Sequence, residues 1–242
     1  MSGVPNYFLA VCDILGFSDF VRTQALEDVI AHGIGGLRQA LYFSMYSKVP
    51  PKSLEWSEFQ NHGQVGVAWF SDTILLYTKL DTDEAIRSLL SVVSSLIFFM
   101  MGRHTRLRAG LAYGPAYVDS PNAMFVGQPI IDAARLEEQQ QWSGGALHES
   151  ACERVRRVAG ATPPMDWWVI PYAVPLKGGE TLHTLAVNWN EGIHAPDWRL
   201  RWSSTSTDPS ANDWAERPDV CHKFVQTRRF HEIFCRDCNP RR

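Results

Sequence analysis

The sequence has little excess charge. Its 242 residues carry 23 Lys and Arg against 26 Asp and Glu, a net charge of −3, so it lacks the basic character of a dedicated nucleic-acid binder. Cysteine is sparse: Cys12, Cys152, Cys221, Cys235 and Cys238 form an odd, scattered set. That set excludes a disulfide framework and points to a reducing compartment. The greasiest run, residues 89–101, falls short of the ~20 apolar residues that span a bilayer and reads as a buried helix. The first seventeen residues have no basic opening and place Asp13 inside their apolar stretch, so no signal peptide and a cytoplasmic location are expected. There is no internal repeat, no low-complexity segment and no G-x-S-x-G elbow, which removes solenoids, disordered chains and the common serine hydrolase. What is present is ordinary globular composition, 45% hydrophobic and 20% charged, in a chain long enough to bury a sizeable core.

Apolar patterning gives a mixed order of elements. Residues 7–14 read as a buried strand, and Ser18 as the cap of a helix carrying Phe20, Val21, Ala25 and Val29 at helical spacing. Gly33, Gly35 and Gly36 are expected to interrupt that helix before residues 37–46 resume it; HGIGGL follows a helix and not a strand, so it is no phosphate loop. A linker at 48–53 leads to a hairpin of 65–70 and 73–77 that turns at Ser71 and Asp72. A helix at 83–101 capped by Thr82, a strand at 106–118, a helix from Gly127 to near Gly144, a closing strand pair around Gly178 and Gly179, and a short helix at 222–235 complete the reading. Helices and hairpins in this order define an α+β fold.

Two carboxylates stand out chemically. Asp13 ends an apolar strand, where an unpaired charge is costly to bury, and Asp72 sits at the hairpin tip in WFSDTILLY. Held at adjacent strand ends, they offer oxygen ligands to hard divalent cations. In DILGFSDF the chain leaves the strand, turns at Gly16 and enters a helix, whose amides suit an anion beside such cations. That is an arrangement for phosphoryl chemistry. CRDC at 235–238, with Cys221 and His231, has only a partial zinc spacing, and the tryptophans of the last third (Trp167, Trp168, Trp189, Trp198, Trp202, Trp214) read as packing residues.

The ordered segments DILGF (13–17), FSDT (70–73), RAGLAYGPAYV (108–118), VGQPIIDAARLE (126–137) and VPLKGGETLHTLAVNW (174–189) resemble the class III nucleotidyl cyclase homology domain. The resemblance covers roughly residues 7–190, so a catalytic domain at 1–190 and a C-terminal extension at 191–242 are expected. It implies a ferredoxin-like α+β sandwich, a head-to-tail homodimer with shared active sites, and two divalent ions, Mn2+ or Mg2+, per site. By the same resemblance Asp13, Asp72 and the Ile14 carbonyl hold the metals. Gly16, Phe17 and Ser18 cradle the triphosphate, Arg135 steadies the departing pyrophosphate, and Lys177 stands near the phosphates.

The departures carry information. Ala68 stands where adenylate cyclases of the family have a purine-reading Lys, and Met124 where they have a polar contact; Ile131 replaces an Asn and Gly179 a Lys. Metal and arginine positions are kept while base readout is lost. That pattern resembles the pyrimidine cyclases of Pycsar antiphage systems, which form cyclic UMP or cyclic CMP from UTP or CTP, and HKFVQTRRF at 222–230 resembles their C-terminal extension. Tyr42 or Tyr46 is expected to reach the smaller base. The alternatives are an adenylate cyclase with unusual base contacts and a catalytically silent, nucleotide-binding or regulatory module.

Overall fold

A computed structural model describes residues 3–102, 105–159, 168–191 and 218–234. Its axis is β1 (Asn6–Leu15), which pairs antiparallel with β3 (Thr73–Thr78) on one side and with β4 (Arg106–Pro115) on the other. With β2 (Val65–Phe70), β7 (Gly144–Leu147), β8 (Val169–Pro175) and β9 (Thr181–Val187) they form a seven-stranded sheet in the order β2-β3-β1-β4-β7-β9-β8. Among the described residues only the β4–β7 pair is parallel. The expected α+β class holds.

Alternation along β1 sorts its side chains. Phe8, Ala10, Cys12 and Ile14 enter the main core, beneath α3 (Gly35–Tyr46) and α5 (Asp83–Gly102). Leu9 and Val11 enter a smaller cluster on the opposite face with Leu75, Tyr77, Ala112 and Ala133. Helix α5 buries side chains almost all round, and as expected Thr82 caps it, its Oγ1 accepting from the Ala85 amide at 3.2 Å. Among the described residues α5 is the one helix long and apolar enough to cross a membrane, and most of it is buried in this core.

The opposite face is covered by α6 (Gln128–Gln139) and a small hairpin of β5 (Tyr117–Asp119) and β6 (Met124–Val126). Gly110 on β4 sets how closely α6 approaches: a Cβ there would lie 2.0 Å from the Ala133 carbonyl oxygen and 2.7 Å from the Glu137 amide. Only glycine lets the helix backbone rest on the strand.

Several boundaries differ from the sequence reading. The three glycines do not interrupt the helical path. The break comes earlier, within the helix expected to carry Ala25 and Val29: Gln24 and Ala25 are extended between α1 (Phe17–Thr23) and α2 (Leu26–Asp28), and α2 then leads through a π-helical turn, Val29–Ile34, into α3. Gly33 serves packing, since a Cβ there would lie 2.8 Å from the Phe20 ring. α4 (Trp56–Gln60), closed by a reciprocal Glu55–Glu58 capping box, lies beyond the linker. The strand expected to run to Val118 ends at Pro115, which has no N–H to extend a ladder, and the chain turns into the β5–β6 hairpin. The helix expected to end near Gly144 stops at Gln139. Beyond it come β7 and α7 (Glu149–Ala159), neither of them expected. The last helix of the described residues, α8, is Pro218–Phe234, longer than the one expected at 222–235 at its start. Trp189 is fully buried and Trp168 packs partly buried against the core, whereas Trp167, Trp198, Trp202 and Trp214 lie outside the described residues. Cys12, Cys152 and Cys221 are free thiols.

Candidate active site

One row of residues crosses the sheet near the C-terminal end of β1. Phe70 on β2 faces Thr73 on β3, Thr73 faces Asp13 on β1, and Asp13 faces Arg108 on β4. Residues in direct register share a face of the sheet. This row therefore lies on the α6 side, the face that also carries Leu9 and Val11. Asp72 joins it from the β2–β3 turn, where Ser71 holds a left-handed φ of 56°. The Trp69 indole N–H donates to the Ser71 carbonyl at 2.6 Å and fixes that turn.

The acids are felt by one another. Burial, then the charges of Glu137 and Asp72, push the Asp13 carboxyl up to about 7, against the opposing effects of Arg108 and the Ile14 amide. Glu137 reaches this place from α6 because Gly110 lets the helix approach. Its carboxylate accepts from Arg108 Nε at 2.5 Å, with both side chains under a tenth exposed. Arg108 also donates to the Gln140 carbonyl at 3.0 Å. Burial raises the Glu137 carboxyl, while Arg108 and Lys177 act to lower it. Lys177, in the tip between β8 and β9, thus stands within the field of the site.

The structure brings together Asp13, Asp72 and Lys177 of the expected residues, and adds Arg108 and Glu137. Both additions lie inside the segments 108–118 and 126–137, where sequence reading gave them no role. Others stand apart. Arg135 is exposed on the outer side of α6, on the same face as Ile131, which is 46% exposed. Gly16, and not Ser18, is the N-cap of α1: its φ of 80° turns the chain from strand to helix in one residue, so the helix begins at Phe17. Ile14 itself is buried and pairs with Leu107. Tyr42 and Tyr46 cannot line this face. They sit on α3 beneath the other side of the sheet, packed against each other and near Phe59 and His62. Cys235 and Cys238 lie outside the described residues, and His231 pairs with Asn190 Oδ1 at 2.7 Å.

Among the described residues no three acid, His or Cys groups form a cation cage by themselves. The donor set is nevertheless of a kind Mg2+ and Mn2+ use, in which one or two carboxylates hold an ion whose other ligands are water and substrate phosphates. The mutual repulsion that raises Asp13 is relieved by a cation bound between Asp13 and Asp72. These residues fit a divalent ion.

No protein-family profile and no curated protein matches the chain. Solved structures do. The catalytic core of a rhodopsin-guanylyl cyclase with converted specificity, in complex with ATPαS, aligns over 76% of this chain and 95% of its own at 16% identity, with a TM-score of 0.52. A bacterial light-regulated adenylyl cyclase aligns over 81% of this chain and 95% of its own at 15% identity, with a TM-score of 0.49. The first likeness establishes the fold, that of the class III cyclase catalytic domains.

Proposed function

We propose that this chain is a nucleotidyl cyclase of the class III type that converts a pyrimidine nucleoside triphosphate, UTP or CTP, into its 3′,5′-cyclic nucleotide and pyrophosphate. The observation that carries this reading is the convergence of Asp13 and Asp72 at one end of a cyclase-like sheet, with Arg108 and Lys177 in the same field. Asp13, Asp72 and the Ile14 carbonyl would hold two Mn2+ or Mg2+ ions. When bound, such ions supply positive charge to the triphosphate and ease ionisation of the ribose 3′-hydroxyl. The 3′-oxygen then bonds to the α-phosphorus as the bond to pyrophosphate breaks, and the hydroxyl proton passes to solvent. Lys177, whose charge acts on Glu137, would stand near the phosphates. Arg135 faces outward, which suits a residue that serves the site of a second copy in a homodimer.

Base choice rests on what is missing from the walls. Ala68 faces Leu75 on the site side of the sheet, and Met124 stands 48% exposed on β6. Neither offers a hydrogen bond to a purine edge, and a site without such partners gives purines no preference. The antiphage role and the cytoplasmic location rest on the resemblance to Pycsar cyclases and on composition. One feature favours the silent-module alternative: Ile131, at the position of a transition-state Asn, carries no polar group.

Incubating the protein with Mn2+ and each of the four NTPs, and identifying products by mass spectrometry, tests the proposal. Cyclic UMP or cyclic CMP is the expected dominant product. Cyclic AMP from an equimolar mixture overturns the pyrimidine assignment, and no cyclic nucleotide from any NTP leaves the silent module.

A further inference from the structure

Helix α8 reaches the site through a continuous set of contacts. Its buried stripe is Phe224, Thr227 and Phe230, at helical spacing. Phe230 packs its ring 4.9 Å from Trp142, 4.9 Å from Tyr172 and 5.5 Å from Trp189, three aromatics from three separate parts of the chain. Thr227 Oγ1 accepts the Ser143 amide at 2.8 Å. Phe224 lies under the guanidinium of Arg106, the first residue of β4. The helix therefore grips the short segment 140–143 that joins α6 to β7.

That segment carries the backing of the carboxylates. The Trp142 indole N–H donates to Gln140 Oε1 at 2.8 Å, and Gln140 Nε2 donates to the Ala109 carbonyl at 2.8 Å and to the Leu136 carbonyl at 3.1 Å. The Gln140 carbonyl accepts from Arg108, whose Nε holds Glu137. Arg108 stands in register with Asp13. Gln140 is fully buried, so each bond is made in a place where water cannot substitute for a lost partner.

We propose that α8 is a positioning element of the carboxylate site, with Thr227 and Phe230 fixing segment 140–143 and thereby the Arg108–Glu137 pair that faces Asp13. The C-terminal segment is then part of the working unit, and not an appendage to it. Thr227 touches no reacting atom; it acts through Ser143, Trp142 and Gln140. The consequence for turnover rests on the cyclase reading, while the mechanical link does not.

The test uses the full chain and two NMR probes of hydrogen exchange: Arg108 Hε at the site, and the Ala10 amide at the centre of the sheet. Thr227→Val keeps the shape of the side chain and removes the acceptor, Thr227→Ser restores it, and Trp142→Phe cuts the next bond while keeping an aromatic ring against Phe230. Thr227→Val and Trp142→Phe are each expected to speed Arg108 Hε exchange about tenfold, the scale of one lost buried hydrogen bond. The Ala10 amide stays unchanged, and Thr227→Ser behaves as wild type. In turnover, Thr227→Val lowers kcat by a similar factor with little change in KM. Unchanged Arg108 exchange, or equal acceleration at Arg108 and Ala10, overturns the proposal, the second because it marks a merely structural helix. If the wild type forms no cyclic nucleotide, the cyclase reading fails and the exchange arm still decides the positioning role.

Discussion

The two ends of the central sheet each gather acidic side chains, and they treat them in opposite ways. At the start of β1, Asp81 and Asp83 are bridged by Arg154 at 3.3 and 3.1 Å, and the Tyr113 hydroxyl donates to Asp81 at 2.6 Å. Each acid there has a partner, and the cluster ties α5, α7 and β4 together. At the far end, Arg108 is committed to Glu137 and Gln140, and Asp13 is left facing Asp72 and Glu137 with its carboxyl raised to about 7. Structural acids are matched with cations, whereas acids that await a charged ligand are not. One sheet carries both, which makes it its own control.

The largest expected effect comes from breaking the unmatched end. Asp13→Ala and Asp72→Ala should each lower kcat by about 10³-fold or more with the fold intact, since each removes a metal-holding carboxylate. Arg154→Ala should leave kcat near wild type and lower the melting temperature instead. Turnover and thermal melts on the three variants check this. A folded Asp13→Ala with normal turnover would sink the site assignment.

Mixing subunits sharpens the same contrast. By resemblance, a site draws Asp13 from one chain and Arg135 from its partner, consistent with Arg135 facing outward on α6. Asp13→Ala and Arg135→Ala homodimers should both be inactive. After exchange about half the dimers are mixed, and each holds one doubly defective and one intact site, so about a quarter of wild-type activity returns. Product formation is followed against mixing time. Flat kinetics alongside heterodimers proven by native mass spectrometry rejects shared sites.

A smaller effect concerns the pair behind Asp13. Glu137→Leu strands the Arg108 guanidinium, 6% exposed, without its anion, which should cost about 3–5 kcal/mol of stability. Restoring an apolar match with Arg108→Met in the same chain should recover much of that loss. Urea unfolding of the single and double variants measures it, and additive losses would show that the two side chains are not coupled.

How much of this could be read from the chain depends on the range of each interaction. Asp13 and Asp72 are legible because a carboxylate inside an apolar strand, or at a hairpin tip beside one, is anomalous in its own few residues. Arg108 and Glu137 are not, although both lie in recognisable segments. Their partnership spans 29 positions and exists only because Gly110 lets α6 sit on β4. β7 was missed for a related reason. Gly144 and Gly145 look like breakers, yet they are small because a Cβ at either would come within 2.7 Å of Trp142 or Val187. The interior face of α8 is equally hidden, since its aromatic partners come from three distant segments. Local chemistry was readable; close packing between distant elements was not.

The smallest effect is a pH dependence that separates the two ends without any turnover. An isolated Asp titrates near about 3.9. In the folded chain Asp13 is held up to about 7, chiefly by burial and then by Glu137 and Asp72. Well below pH 4 it is protonated whether folded or unfolded, and its shift has no effect on stability. As pH rises toward 7 the unfolded chain releases the proton while the folded chain keeps it, so the wild type loses stability across that window and levels off above it. Asp13→Asn cannot lose a proton. In chelator-treated buffer its melting temperature should match the wild type near pH 4 and exceed it by a few degrees at pH 8. Adding Mn2+ at pH 8 should reverse the order, because the ion binds the folded wild type and pays back the repulsion that Asn had merely removed. A gap that is the same at both pH values would mean that the fold does not hold the Asp13 carboxyl above its ordinary value.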